Sequence, residues 1–138
     1  MSLSNTLVTN EIKDASSAEV EFSRISTNGR TTEFAKVSET PNAPYRLKVS
    51  HLETGSGADL RRRSVVRFDK VVTGVSTQLR TVSAYVVVDA PVGDLNASTE
   101  TKNVIANLLS FCATTGSGTT VLFDCTGNGA SVLVDGSL

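Results

Sequence analysis

A chain of 138 residues with 39% hydrophobic and 20% charged residues fits one domain with a packed core and excludes a disordered polymer. Its 13 basic and 14 acidic residues give a formal net charge of −1, so any role in binding nucleic acid depends on where the charge sits rather than on its sum. No apolar run approaches the roughly 18–20 residues that span a bilayer, and residues 1–10 lack the charged and apolar regions of a signal peptide.

Trp is absent and aromatics are few, which leaves the core to Val, Leu, Ile and Ala and favours strands. Residues 3–12 form the first candidate strand, and Lys13-Asp14-Ala15-Ser16-Ser17 reads as a turn-like break. Residues 18–25 alternate, with Val20, Phe22 and Arg24 on one face and Glu19, Glu21 and Ser23 on the other. Thr27-Asn28-Gly29 signals a tight turn, because Asn-Gly tolerates positive φ. Residues 31–38 follow as a third strand, with Phe34 and Lys36 opposite Ala35 and Val37.

Pro41 and Pro44 interrupt the pattern. Residues 45–52 form the next strand, and residues 53–59, with Gly55 and Gly57, a loop. Residues 61–72 make a long strand, residues 74–78 turn the chain, and residues 79–88 form the last clear strand, stopped by Pro91. The period then changes. Over residues 96–113, Val104, Ile105, Leu108, Leu109 and Cys112 recur at spacings of three and four, the apolar face of a helix. Ser98 or Thr99 is its expected cap and Gly116 its expected end. Within the tail, residues 120–125 and 131–134 read equally as short helices or strands.

Successive strands with short connections, followed by one helix, give an α+β order with an antiparallel meander. A sheet covered by a single helix leaves a broad face for solvent, a ligand or another chain.

Catalytic signals are weak. The one histidine, His51, sits within a strand; no nucleophile elbow, phosphate-binding loop, dinucleotide fingerprint or calcium loop is present. The scattered carboxylates form no acid–base pair, so no enzyme, no cofactor and no small-molecule substrate is expected. Cys112 and Cys125 define neither a disulfide framework nor a metal site and read as free thiols, with a bridge as the alternative.

The basic residues are more informative. Arg46, Lys48, Arg61, Arg62, Arg63, Arg67 and Lys70 lie within one stretch, while acidic residues lie mostly outside it. Strand parity places Arg46, Lys48 and Ser50 on one face, as it does Arg61, Arg63, Val65, Arg67 and Asp69, and then Thr81, Ser83, Tyr85, Val87 and Asp89. Leu47, Val49, Val66 and Phe68 take the opposite, buried side. Cations, hydroxyls and a tyrosine on one sheet suit RNA: cations meet phosphates, hydroxyls meet phosphates or bases, and tyrosine stacks on an unpaired base. A solvated face laced with cross-strand ion pairs is the plainer reading.

The ordered set Tyr45-Arg46-Leu47-Lys48-Val49-Ser50-His51, then Arg61-Arg62-Arg63-Ser64-Val65-Val66-Arg67-Phe68-Asp69, then Ser83-Ala84-Tyr85-Val86-Val87-Val88-Asp89-Ala90-Pro91 and a helix, resembles the levivirus-type coat proteins of single-stranded RNA bacteriophages. The resemblance covers nearly the whole chain and is best over residues 45–112. It implies one coat-protein domain: an N-terminal β-hairpin and five-stranded antiparallel meander sheet over residues 1–90, a dimerisation helix over 96–115, and a C-terminal tail over 116–138. It also implies an intertwined homodimer with a continuous ten-stranded sheet, assembled in the bacterial host cytoplasm into the icosahedral shell of a virion.

Two RNA partners come with the resemblance: the packaged single-stranded genome, and an operator hairpin whose binding represses replicase translation. The matching RNA-facing positions are Arg46, Lys48, Ser50, Arg63, Val65, Arg67, Ser83 and Tyr85. In better-known relatives a tyrosine and an asparagine occupy the pair that is Ser83 and Tyr85 here, and this sequence departs from them. Val104, Ile105, Leu108 and Leu109 are the implied dimer contacts. Residues 74–78 are the loop that meets its copies about the symmetry axes, here short and without cysteine. Two other classes compete: a dimeric single-stranded nucleic-acid-binding β-domain that forms no shell, and a small β-rich enzyme using His51 as base.

Overall fold

Alternating apolar and polar residues build an antiparallel ladder in which each strand turns back on its predecessor. A computed structural model describes residues 3–94, 97–116, 118 and 120–137. Its strands are β1 (Thr6–Leu7), β2 (Phe22–Asn28), β3 (Thr31–Lys36), β4 (Tyr45–Thr54), β5 (Arg61–Thr73) and β6 (Leu79–Pro91). They hydrogen-bond in sequence order as one six-stranded antiparallel sheet. Helices α1 (Ala97–Ala113) and α2 (Asn128–Asp135) follow.

The expected meander and helix are present, with corrections at the N-terminus. The first strand shrinks to Thr6–Leu7, and Asn10 takes a positive φ that ends extended backbone. A small turn follows, in which Asp14 accepts from Ser16 and from the Ala18 amide. The second strand therefore starts at Phe22, four residues later than the pattern suggests. Asn28 belongs to this strand and pairs with Thr31, so the turn centres on Gly29 and Arg30. Gly29 supplies the positive φ of 58°. The third strand stops at Lys36, and Pro91 is the last residue of β6 rather than a stop before it.

Core side chains come from one face of β1–β5 and from the segment between β1 and β2. Phe22 and Phe34 are fully buried, Leu7, Val20 and Leu47 nearly so, and Ile12, Tyr45, Val49 and Phe68 pack against them. Phe22 meets Tyr45 and Phe68 edge-on at 5.2 and 5.9 Å, a preferred aromatic geometry. Arg24 lies over the Phe34 ring, 5.6 Å from its centroid, and donates to the Leu3 and Ser4 carbonyls, which ties the N-terminal segment to the sheet.

Burial fades toward β6, where Val82 and Val86 on this same face are exposed. The two sheet edges differ accordingly. The β2 edge is shielded by β1 and broken by an irregularity between Arg24 and Ser26. β6 pairs only with β5 and leaves thirteen residues of edge open, a length that isolated monomers avoid.

Helix α1 ends at Ala113, three residues before Gly116, because Thr114 bridges to Val121 and the Ala113 carbonyl accepts from the Leu122 amide. Of the expected caps, Thr99 lies inside the first turn and the side chain of Ser98 lies outside the described residues, as does Asn96, the expected start of the helix. In the tail, residues 131–134 fall within α2, whereas residues 120–125 form no regular element. α2 crosses α1 closely: a Cβ on Gly129 would stand 1.9 Å from the Phe111 carbonyl oxygen. Cys112 and Cys125 are free thiols.

Candidate nucleic-acid interface

On the sheet face opposite the core, register aligns side chains in rows across β3–β6. One row is Thr31, Ser50, Val65 and Val87. The next is Glu33, Lys48, Arg67 and Tyr85, and the next Ala35, Arg46, Asp69 and Ser83. Arg63 stands between Leu52 and Asp89. All eight residues singled out in the sequence thus share this face, and Arg61 lies at its rim. Arg62 points to the core side, where it and Arg30 pair with Glu53. His51 is on that side too, its Nδ1 2.8 Å from Ser64 Oγ.

The charge segregation seen along the sequence does not persist in space. Arg46 pairs with Glu39 at 2.7 Å and lies 3.9 Å from Glu33. Arg61 pairs with Asp89 at 2.9 Å, and Arg67 with Asp69 at 2.8 Å. Lys48 and Arg63 form no ion pair among the described residues. Sequence reasoning placed Asp69 and Asp89 on this face but missed Glu33 and Glu39: Glu33 meets Arg46 and Lys48 only through the β3–β4 register, and Glu39 sits in the connection between those two strands. Exposed pairs of this kind are worth under about 1 kcal/mol, so a phosphate can displace a carboxylate from its arginine.

One cluster is tighter than the rest. Arg67 Nε donates to both Asp69 oxygens, the Ser83 hydroxyl donates to Asp69 Oδ1, and the Arg67 guanidinium lies 5.8 Å from the Tyr85 ring centroid. The hydrogen bond from Ser83, then Arg67 and more distantly Lys48, hold the Asp69 carboxyl below its ordinary range. Tyr85 remains 63% exposed. It is the only aromatic side chain that register places on this face among the described residues.

Beside β6, α1 leaves a groove of about 410 Å³ lined by Val87, Val88, Pro91, Val104, Ile105 and Leu108. Of the implied dimer contacts, Ile105 is half-buried, while Val104, Leu108 and Leu109 are 63%, 41% and 56% exposed. This apolar surface adjoins the open β6 edge. Among the described residues no group of three or more His, Cys, Asp or Glu side chains is placed to hold a metal ion, and no helix is long and apolar enough to cross a membrane.

No protein-family model and no curated protein sequence matches the chain. Solved structures do. The Bacteriophage EMS014 coat protein superposes with a TM-score of 0.71 over 99% of both chains at 13% identity. The chain has the coat-protein fold of levi-like phages. The virus-like particle of Beihai levi-like virus 21 matches with a TM-score of 0.60 at 16% identity, over 96% of this chain and 94% of that one. That of bacteriophage GQ-907 matches with 0.58 at 12% identity, over 88% and 85%. At such identities the likeness is one of fold, and most side chains differ.

Proposed function

We propose that the chain is a non-enzymatic capsid subunit that dimerises, assembles into an icosahedral shell and holds single-stranded RNA on the face carrying Arg46, Lys48, Ser50, Arg63, Val65, Arg67, Ser83 and Tyr85. One observation carries this reading: an end-to-end fold likeness to a phage coat protein in a chain whose longest edge strand and apolar helix face lie open side by side. Pairing of β6 with its copy joins β2–β6 of two subunits into a ten-stranded sheet. It also brings Val104, Ile105, Leu108 and Leu109 of each α1 onto the other chain. Burial of this surface stabilises the dimer by roughly 25 cal/mol per Å² of apolar area, before association costs.

The uncovered face then turns inward to RNA. Lys48 and Arg63 meet phosphates directly, and Arg46, Arg61 and Arg67 exchange carboxylates for phosphates. The dependence on salt is correspondingly shallower than five free cations would give. Tyr85 offers a stacking platform worth about 1–3 kcal/mol per base. An operator hairpin bound across this face would repress translation of the message that carries it. Assembly belongs in the bacterial host cytoplasm, and the mature subunit in the virion.

The direct test is the double charge reversal Lys48→Glu with Arg67→Glu. It is expected to cut copurifying RNA several-fold at each of several salt concentrations while dimers persist. Unchanged RNA content would contradict the assignment of the RNA face.

A further inference from the structure

The core side of the sheet carries a second group of cations, on the opposite face from the one assigned to RNA. Near the β2–β3 turn, Leu3, Arg24, Arg30, Thr32, Val49 and His51 line a hollow of about 350 Å³. Register fixes the side: Arg24 pairs with the core residue Phe34, Thr32 with Val49, and His51 with Ser64. β4 is two strands from β6, so the hollow lies away from the edge proposed to meet a second copy.

The walls are held in place. The Arg30 carbonyl accepts from the His51 amide at 3.0 Å, which ties the turn to β4. Arg24 donates to the Leu3 and Ser4 carbonyls, so the N-terminal segment forms one wall, while its buried Nε has no acceptor. His51 Nδ1 lies 2.8 Å from Ser64 Oγ. With the hydroxyl donating to Nδ1, Nε2 carries the proton and is itself a donor.

Charge here is unbalanced. Among the described residues, the ion pairs of Arg24, Arg30 and Arg62 involve one carboxylate, Glu53, which is 2.7 Å from Arg62 and 3.4 Å from Arg30. Arg24 pairs with none. Three guanidinium groups against one carboxylate leave an excess of two positive charges, and a concave surface concentrates their field.

We propose that this hollow binds a phosphate group, either free or as the monoester of a small alcohol such as a sugar. The excess of two charges matches a phosphate dianion, and guanidinium forks suit its oxygens. Arg24 and Arg30 neutralise the anion, and His51 Nε2 adds a neutral donor. The hollow is larger than a phosphate ion, which leaves room for the alcohol. RNA is assigned to the other face, so this phosphate comes from the medium or from a cell surface. The inference does not depend on that assignment.

The test is isothermal titration calorimetry of the full-length protein with inorganic phosphate and with glucose 6-phosphate. Ionic strength is held constant with chloride, so that screening does not mimic binding. Saturable binding at about one site per subunit is expected. An ester that binds at least as tightly as inorganic phosphate points to a sugar-borne ligand, and one that binds more weakly to the free ion; both support the site.

Arg24 also anchors residues 3 and 4, so the variants are made elsewhere. Arg30 lies in a turn with its side chain 56% exposed, and its replacement spares the fold. Arg30→Gln is expected to weaken binding about tenfold, the loss of one charge-assisted hydrogen bond. Glu53→Gln is expected to strengthen it, because a competing acceptor for Arg30 is removed. The RNA-face variant Lys48→Glu with Arg67→Glu is expected to bind phosphate as wild type does. Absence of saturable binding with both probes overturns the proposal, as does an Arg30→Gln protein with wild-type affinity. Loss of binding in the RNA-face variant overturns it too, by moving the phosphate to the other face.

Discussion

Asp69 and Glu53 show how single residues couple this sheet to pH. Ser83 and Arg67 lower the carboxyl of Asp69, and a hydrogen bond from Arg62, assisted by Arg30, lowers that of Glu53, from ordinary values of 3.8 and 4.5. A carboxyl lowered on folding adds stability that is complete above its unfolded pKa and is lost as pH falls through the folded one. Thermal melts of the purified protein are therefore expected to be flat from neutrality to about pH 5 and to fall below about pH 4. Asp69→Asn with Glu53→Gln should make that acid limb shallower, the remainder coming from other lowered carboxyls such as Asp14 and Asp124. An unchanged limb would show that these ion pairs do not tighten the folded state. That the eight proposed RNA-facing positions share one side of the sheet was legible at this scale because side chains alternate with a period of two. Their carboxylate partners Glu33 and Glu39 were not, because a cross-strand neighbour is fixed by register and not by proximity in sequence.

Among the elements, β4, β5 and β6 were readable because each carries enough alternating residues for parity to be unambiguous, and α1 because Val104, Ile105, Leu108 and Leu109 keep helical spacing. The N-terminal strand was not readable: Asn10 and Ser17 adopt positive φ, which an alternating pattern does not disclose. Nor was α2, since an apolar run as short as Ser131–Val132–Leu133–Val134 fits helix and strand alike. Contact decides there, through Gly127 and Gly129 laid against the carbonyls of Thr114 and Phe111. α1 also yields a test. Leu108 is only partly covered within one chain and lines the groove beside β6, so Leu108→Asp would carry a charge into the proposed subunit contact. The dimer dissociation constant should rise by at least about a hundredfold, with little change in the circular dichroism of the subunit. A variant that still dimerises normally on size-exclusion chromatography would place α1 outside the contact.

For the molecule as a whole, the incomplete burial of a single chain is the informative property. Phe22, Phe34 and Leu47 close one end of the sheet, while Val82, Val86, Val104, Leu108 and Leu109 remain open at the other. One half is a closed core, and the other half is the surface proposed to meet a second copy. The opposite face balances arginines against carboxylates, consistent with a near-neutral total charge and with RNA held by many individually weak contacts. Recombinant protein examined by size-exclusion chromatography and negative-stain electron microscopy tests this most directly. Uniform closed particles in the void volume, with nuclease-protected RNA inside, are the expected result. A stable monomer free of RNA, eluting near its 14.5 kDa mass, would contradict it.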